Sequence, residues 1–592
     1  MTTPAQNIAA IRRQMAEKGL SAYLIPATDP HISEYLPDHW KTLAWVSGFT
    51  GSAGTLVVTH DFAGVWTDSR YFIQAEKQLA GSGIELVKLV VPHTAEFVGW
   101  LAGTLPEGSI VGFDGNILSR SVYQSLEAGL RPRGIRLDPN ADLVGPIWTN
   151  RPPLPENPVS EHPAKFAGAT RPEKLARVRQ RLAEKKVTHT VLSSLDDIAW
   201  VFNLRGADVP YNPVFVAHAV IGLHAAALFV SPAKISDALR RKLNRDGIKV
   251  FPYESITTYL SKLPADAFVL LDPKRVSQNL PGALSSAVKV LDDVNITTWL
   301  KACKTPEEVE QTRQTMVRDG VALTKFFYWL AQNVGKQKIT ELSAQSKLQV
   351  MRREQPNCVG ESFGTISAYG PHAAMPHYSA TSESDVELRP EGLYLLDSGG
   401  QYLGGTTDTT RVMSLGGITD EQMTDYTLVL QGLIAISRLR YPRGTRGYQV
   451  DILARLPQWE RGINFGHGTG HGVGYYLCVH EGPQGISPNP VDTPLLPGMI
   501  TSVEPGIYRP GKHGVRIENL VVCTEGDKTE FGEFLAFETL TIAPIFTNLV
   551  KKSLLSKKEI SWLRAYNGNV VKKLARYLSE EEKTWLRTMC RI

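Results

Sequence analysis

Cysteine is scarce in this 592-residue sequence: Cys303, Cys358, Cys478, Cys523 and Cys590 are odd in number, widely spaced and without a CxxC pair. That argues against a disulfide framework and a thiolate zinc site, and for a reducing compartment. Long apolar runs are lacking too. The longest, 214–230, is interrupted by His218, Gly222 and His224 and reads as two buried strands with a turn, not as a membrane span. No apolar segment follows the amphipathic start MTTPAQNIAAIRRQM, so no signal peptide is expected and the expected location is cytoplasmic. Low-complexity tracts are missing, and a formal charge of +5 spread over many residues is what plain solubility requires. Neither nucleic acid nor membrane is therefore an expected partner.

What is present is too long for one hydrophobic core, so several domains are expected. Segment 145–163 carries six prolines in nineteen residues. Proline fixes φ and removes a donor, so the segment reads as an extended linker closing a first domain, 1–160. A repeat spans it. Before the linker, a helix ending at Gly19 leads into AYLIP, Asp29 and Ala44-Trp45-Val46; after it, a charged helix leads into HTVLSS, Asp196-Asp197 and Ala199-Trp200-Val201. Two related α/β domains, 1–160 and 161–302, are the simplest account. A third region, 303–592, opens with a helix start at Thr305-Pro306-Glu307-Glu308, has a second one at Thr419 with Gln422, and alternates helices with glycine-punctuated strands. It reads as an α+β domain to about residue 550, followed by basic amphipathic helices over 554–592.

Chemistry concentrates in this third region. LYLLDSGGQYLGGTTDTTR brings Asp397 and Asp408 onto a hairpin, and SVEPGIYRPGKHGVRIENLVV puts Glu504 and Glu518 on successive strands around a PGKHG turn. All four acids interrupt apolar strand patterns, which predicts partial burial. Converging buried carboxylates repel and protonate unless cations compensate them, and two divalent ions balance four negative charges. A histidine from NFGHGTGHGVG, His467 or His471, completes an oxygen-rich set that suits Mn, Co, Fe or Zn. Two such ions can share a water and make it hydroxide, which attacks a polarised carbonyl. His377 in MPHY and His480 in VHEGP are candidates to donate or shuttle protons.

The motifs GTGHGVG, VHEGP, VEPGIY and VRIEN, with aspartates eleven apart and glutamates fourteen apart, closely resemble the pita-bread metallopeptidases. SEY at 33–35, SGFTGSAGT at 47–55, WTDSRYF at 66–72, DDIAWVFNLRG at 196–206 and YNPVF at 211–215 extend the resemblance to the long-form, three-domain Xaa-Pro aminopeptidases. The resemblance implies two creatinase-like α/β domains before a pita-bread catalytic domain. It implies two divalent metals, Mn2+ favoured, bridged by Asp408 and Glu518, with Asp397 on one metal and His471 and Glu504 on the other. Glu504 would shuttle the proton, and His377 and His480 would contact substrate and transition state. His467 and Tyr508 would line the proline pocket, Arg70 would contact substrate from the first domain, and Arg516 would support the glutamates. The expected partners are peptides with proline second and a second copy of the chain. Gly364, Ala368, Met375-Pro376 and Asn567 depart from the family pattern.

GESFG (360–364) fits a nucleophile elbow, but no helical pattern follows it, and GIYRPGKH lacks the hydroxyl and helix of a phosphate loop. A prolidase-type dipeptidase is the nearest rival, and the long-form N-terminal motifs argue against it. A catalytically dead pita-bread binding module is the rival from another class, and retention of all five ligand-type residues argues against that.

Overall fold

The computed structural model describes residues 2–92 and 94–592. The chain forms two compact units, one comprising the chain up to His162 and Ala169–Trp299, the other Pro163–Gly168 and Leu300–Ile592.

The first unit contains two six-stranded sheets built on one plan. In the first, Ala22–Pro26 pairs antiparallel with Thr55–Thr59 and parallel with Ile110–Phe113. In the second, His189–Leu192 pairs antiparallel with Ala217–Gly222 and parallel with Phe268–Leu271. The outer strands add in the same senses on both sides, so the repeat is one of topology. The run AYLIP is apolar throughout because both faces of its strand are covered. Tyr23 and Ile25 enter one core with Ile11 and Val46, whereas Ala22 and Leu24 enter another with Leu101 and Leu126. The run 214–230 supplies an antiparallel pair, Ala217–Gly222 with Ala226–Val230.

The proline-rich segment is only partly a linker. Its first residues fold back as turns, and Trp148 is buried in the first core, its ring stacked on Trp45 at 5.1 Å. Burying one indole outweighs the extended preference of the prolines, which holds from residue 151 onward.

In the second unit, Thr305 caps the helix Pro306–Asn333 through a capping box with Glu308, and Thr419 caps Asp420–Ser437 in the same way with Gln422. Phe326, Phe327 and Leu330 of the first helix bury against Tyr394 and Leu396 of the strand Leu393–Ser398. That strand is the centre of a three-stranded antiparallel sheet, between Ile366–Tyr369 and Thr409–Ser414. A six-stranded sheet includes Ile500–Val503, Asn519–Thr529 and Gly470–Gly472. The chain ends in the helices Lys557–Leu574 and Glu580–Met589. Asn567 is buried there, its amide bonded to the backbone of Ile545 and Cys590. Among the described residues no helix is long and apolar enough to cross a membrane.

Candidate metal centre

Strand ends bring the acids together. Asp397 lies opposite Thr410 in the antiparallel ladder, and Asp408 precedes the partner strand, so one hairpin delivers both. Val503 lies opposite Asn519, the last rung of a second ladder, so Glu504 leaves it and Glu518 enters it. The turn between these glutamates is a hairpin of its own, Gly506–Arg509 with His513–Arg516, and does not continue the larger sheet. His471 occupies the middle of Gly470–Gly472, whose neighbour Gly472 lies opposite Thr501. Gly470 allows this approach, since a Cβ there would stand 1.8 Å from the Ser502 carbonyl oxygen.

Asp397, Asp408 and Glu518 are buried, with Glu504 and His471 partly so. One potential ligand atom from each of Asp408, His471 and Glu518 lies within 4.8 Å of the others. His471 Nε2 is 3.5 Å from Asp408 Oδ2 and 3.5 Å from Glu504 Oε1. The imidazole is oriented by its other nitrogen, Nδ1, which is 2.9 Å from the Gly472 carbonyl oxygen. Ser502 Oγ accepts from the His471 backbone N–H at 3.0 Å.

Electrostatically the cluster is frustrated. Burial, together with the negative charge of Asp408, raises the Asp397 pKa against the pull of Arg516. Burial and the charges of Asp408, Glu504 and Asp397 push Glu518 well up. Glu504 is pushed up to about 7, by burial first and then by Asp408 and Asp397. Burial works to lower the His471 pKa, but the carboxylates of Asp408 and Glu504 more than offset it and raise it to about 9. Asp397 Oδ1 and Glu518 Oε1 are buried with no hydrogen-bond partner. Buried oxygens rarely stay unmatched, and oxygens aimed at a shared cation fit this donor set. The residues present therefore fit a pair of divalent ions.

Arg516 reaches the glutamates less directly than it reaches Asp397: it is linked to Glu518 through the Thr410 hydroxyl. Its short contacts are to Asp397 Oδ2 at 2.6 Å and Tyr508 Oη at 2.8 Å, with Glu504 Oε2 4.0 Å away. Asp397 is the acid nearest its fork. Thr410 escaped sequence reasoning: its hydroxyl donates to Glu518 Oε2 at 3.0 Å and accepts from Arg516 Nε at 3.1 Å. In a threonine-rich strand it carried no signal beyond β propensity.

His480 stands edge-on to His471, ring centroids 4.4 Å apart. His467 Nε2 lies 2.8 Å from Tyr508 Oη, which also accepts from Arg516, so these two rings form a second group beside the acids. His377 follows the turn Gly370–Ala374 and is partly buried. Arg70 lies in the first unit, where its guanidinium forks onto Asp68 at 2.8 and 2.7 Å. Ser362 is buried and donates to the Thr407 carbonyl, with a strand before it and no helix after it.

Residues 310–525 match Metallopeptidase family M24, 533–592 match the C-terminal region of peptidase_M24, and 7–144 and 150–308 match Creatinase/Prolidase N-terminal domains. The class is thus an M24 metallopeptidase carrying creatinase-type N-terminal domains. A probable Xaa-Pro aminopeptidase P of Paracoccidioides brasiliensis (strain Pb03) is 40% identical over 98% of both chains. One of Neurospora crassa is 39% identical over 98% of this chain and 88% of its own. The crystal structure of an X-prolyl aminopeptidase from Caenorhabditis elegans, described as a cytosolic enzyme with a di-nuclear active site, superposes with a TM-score of 0.95 at 34% identity, covering 100% of both chains. A Xaa-Pro dipeptidase from Bacillus anthracis, 23% identical with a TM-score of 0.51, shares the fold over 64% of this chain. The chain belongs to the Xaa-Pro aminopeptidase P family of M24 metallopeptidases.

Proposed function

We propose that this chain hydrolyses the N-terminal Xaa-Pro bond of peptides at a dinuclear centre held by Asp397, Asp408, His471, Glu504 and Glu518. The observation carrying this reading is the convergence of Asp408, His471 and Glu518 within 4.8 Å, beside two buried carboxylate oxygens that lack partners. When bound, the two cations supply an activated water and polarise the scissile carbonyl. Mn2+ is the favoured ion for this oxygen-rich set, with Co2+, Zn2+ and Fe2+ as alternatives.

The chain's own groups do the rest. Asp408 and Glu518 would be shared by the two ions, Asp397 would hold one of them, and His471 and Glu504 would hold the other. Glu504 carries the proton toward the proline nitrogen that leaves. His480 and His377 donate to the carbonyl oxygen as it gains charge. An Xaa-Pro bond offers no N–H, so recognition falls on the ring, against the faces of His467 and Tyr508. Arg70 is assigned a substrate contact.

Three further readings accompany this one. The domains run 1–160, 161–302 and 303–592. The five cysteines form no disulfide, which agrees with a cytoplasmic protein. The helix Gly447–Trp459 exposes Tyr448, Ile452, Leu456 and Trp459 on one face, between 39% and 47% accessible, which supports a homodimer.

Chelation followed by metal-by-metal rescue on Ala-Pro-Ala tests the centre. Asp408→Ala should abolish rescue by every metal, and retained activity overturns the two-metal reading. Cleavage of Ala-Pro but not Ala-Pro-Ala would replace the aminopeptidase with a dipeptidase.

A further inference from the structure

Glu341 is fully buried in the first turn of the helix Glu341–Arg353, and among the described residues no lysine or arginine pairs with it. A buried carboxylate needs such partners or several donors. Its donors all come from one short segment. Oε1 accepts from the Tyr369 backbone N–H at 2.7 Å and lies 3.0 Å from His372 Nδ1. Oε2 accepts from the Tyr378 hydroxyl at 2.7 Å. The His372 and Tyr378 rings stack at 4.5 Å, so the clamp closes on itself. Residues 369 and 378 bracket the stretch whose penultimate member is His377.

Two more contacts fix this stretch against the metal centre. Gly514, on the strand that carries Arg516, lies so close that a Cβ would stand 1.7 Å from the Ala373 carbonyl oxygen. The Glu341 carbonyl accepts from Ser367 Oγ at 2.7 Å, and that hydroxyl is 2.7 Å from Tyr394 Oη on the strand ending beyond Asp397. One residue therefore joins the support of His377 to the support of Asp397.

We propose that Glu341 is a positioning residue for His377, acting through the Tyr378 hydroxyl and the His372 ring. The inference rests on the role given to His377 above. Without the clamp, the stretch after the Gly370–Ala374 turn has no regular structure to hold it, and the imidazole loses its aim at the substrate. Burial and the nearby Glu341 charge raise the Tyr378 pKa, which keeps the phenol a donor. Neither His372 nor Glu341 touches substrate in this account.

Tyr378→Phe removes one hydroxyl and little else. In the Mn-loaded protein it should lower kcat/KM on Ala-Pro-Ala about tenfold, the scale of one lost charge-assisted hydrogen bond, with two metals still bound. In a His377→Ala background the same change should cost less than twofold, because the group it positions is gone. Equal losses in both backgrounds would overturn the proposal, as would loss of metal in Tyr378→Phe. Glu341→Gln, which keeps one acceptor oxygen, turns the other into an amide donor and removes the charge, should lower kcat/KM while two metals stay bound, and an unchanged kcat/KM would overturn the proposal. If His377→Ala matches wild type, the failure belongs to the assigned role of His377 itself and takes the clamp with it. Wild type that cuts no Xaa-Pro peptide would fail the functional reading instead.

Discussion

Arg516→Lys is the most informative single change at the centre because it keeps the charge and removes the fork. The guanidinium is buried and serves three acceptors at once: Asp397 at 2.6 Å, the Tyr508 hydroxyl at 2.8 Å and the Thr410 hydroxyl at 3.1 Å. An ammonium on a flexible stem cannot reproduce three donors fixed at different edges of one planar group. At least one charge-assisted bond is lost, and each is worth about 1.5–3 kcal/mol. Expressed in the transition state, that is a fall in kcat/KM of about 10- to 150-fold. Metal binding should survive, since removing an arginine fork from four carboxylates does not weaken their attraction for cations. Steady-state kinetics on Ala-Pro-Ala at saturating Mn2+, with metal content measured on the same sample, separates the two effects. A lysine variant with two metals and kcat/KM within twofold of wild type would refute the reasoning.

Proton competition should govern metal uptake: the carboxylates raise the His471 pKa to about 9 and burial raises that of Glu504 to about 7, so apparent Mn2+ affinity should rise at least tenfold per pH unit up to about 9 and more steeply below 7, and calorimetry showing no pH dependence between 6 and 8.5 would contradict this. In the first unit, His31 and His218 are buried 4.6 Å apart, and burial lowers both pKa values, His31 to about 3. Their unfolded forms gain protons below about 6.5, so each contributes stability that is lost as pH falls toward the folded value. Asp29, raised by burial to about 6, acts in the opposite sense between 6 and 3.8. Denaturant titrations of wild type and His218→Gln at several pH values isolate the His218 share: the difference between them should change by about 1.4 kcal/mol per pH unit as pH falls below 6.5, and a constant difference would contradict this. Trp459→Glu should convert a dimer to a monomer in sedimentation velocity without changing metal content; an unshifted coefficient would remove that face from the interface.

The sequence made the acidic cluster legible because its members break a strong pattern. YLLD, TSVE and VRIEN are apolar strands stopped by an acid, and such a stop inside a predicted strand implies a buried charge that something must compensate. The repeat was legible for a related reason, since AYLIP and HTVLSS are strands covered on both faces. The supporting groups were not. Arg516 reaches Thr410 across 106 residues and Tyr378 reaches Glu341 across 37, and no local periodicity records such pairings. Trp148 was hidden by the prolines around it, whose backbone preference says nothing about where one indole is buried.

These hidden contacts explain why the cage can exist before its ions. Four clustered acids would drive their strands apart if all were charged, yet Asp397, Glu504 and Glu518 have raised proton affinity and Arg516 neutralises one partner. The metal-free site is thus closer to protonated than to repelling, and Thr410 and Ser502 hold Glu518 and His471 in place meanwhile. The ladders behind the site add to this, because the last rung, Val503 with Asn519, is secured by backbone bonds and not by the acids. Cations entering such a site exchange for protons and do not have to fold it, unlike metals in small modules whose core is the metal itself. The acids are therefore free to be chosen for chemistry, while the stability of the fold rests on the ladders and the helices packed behind them.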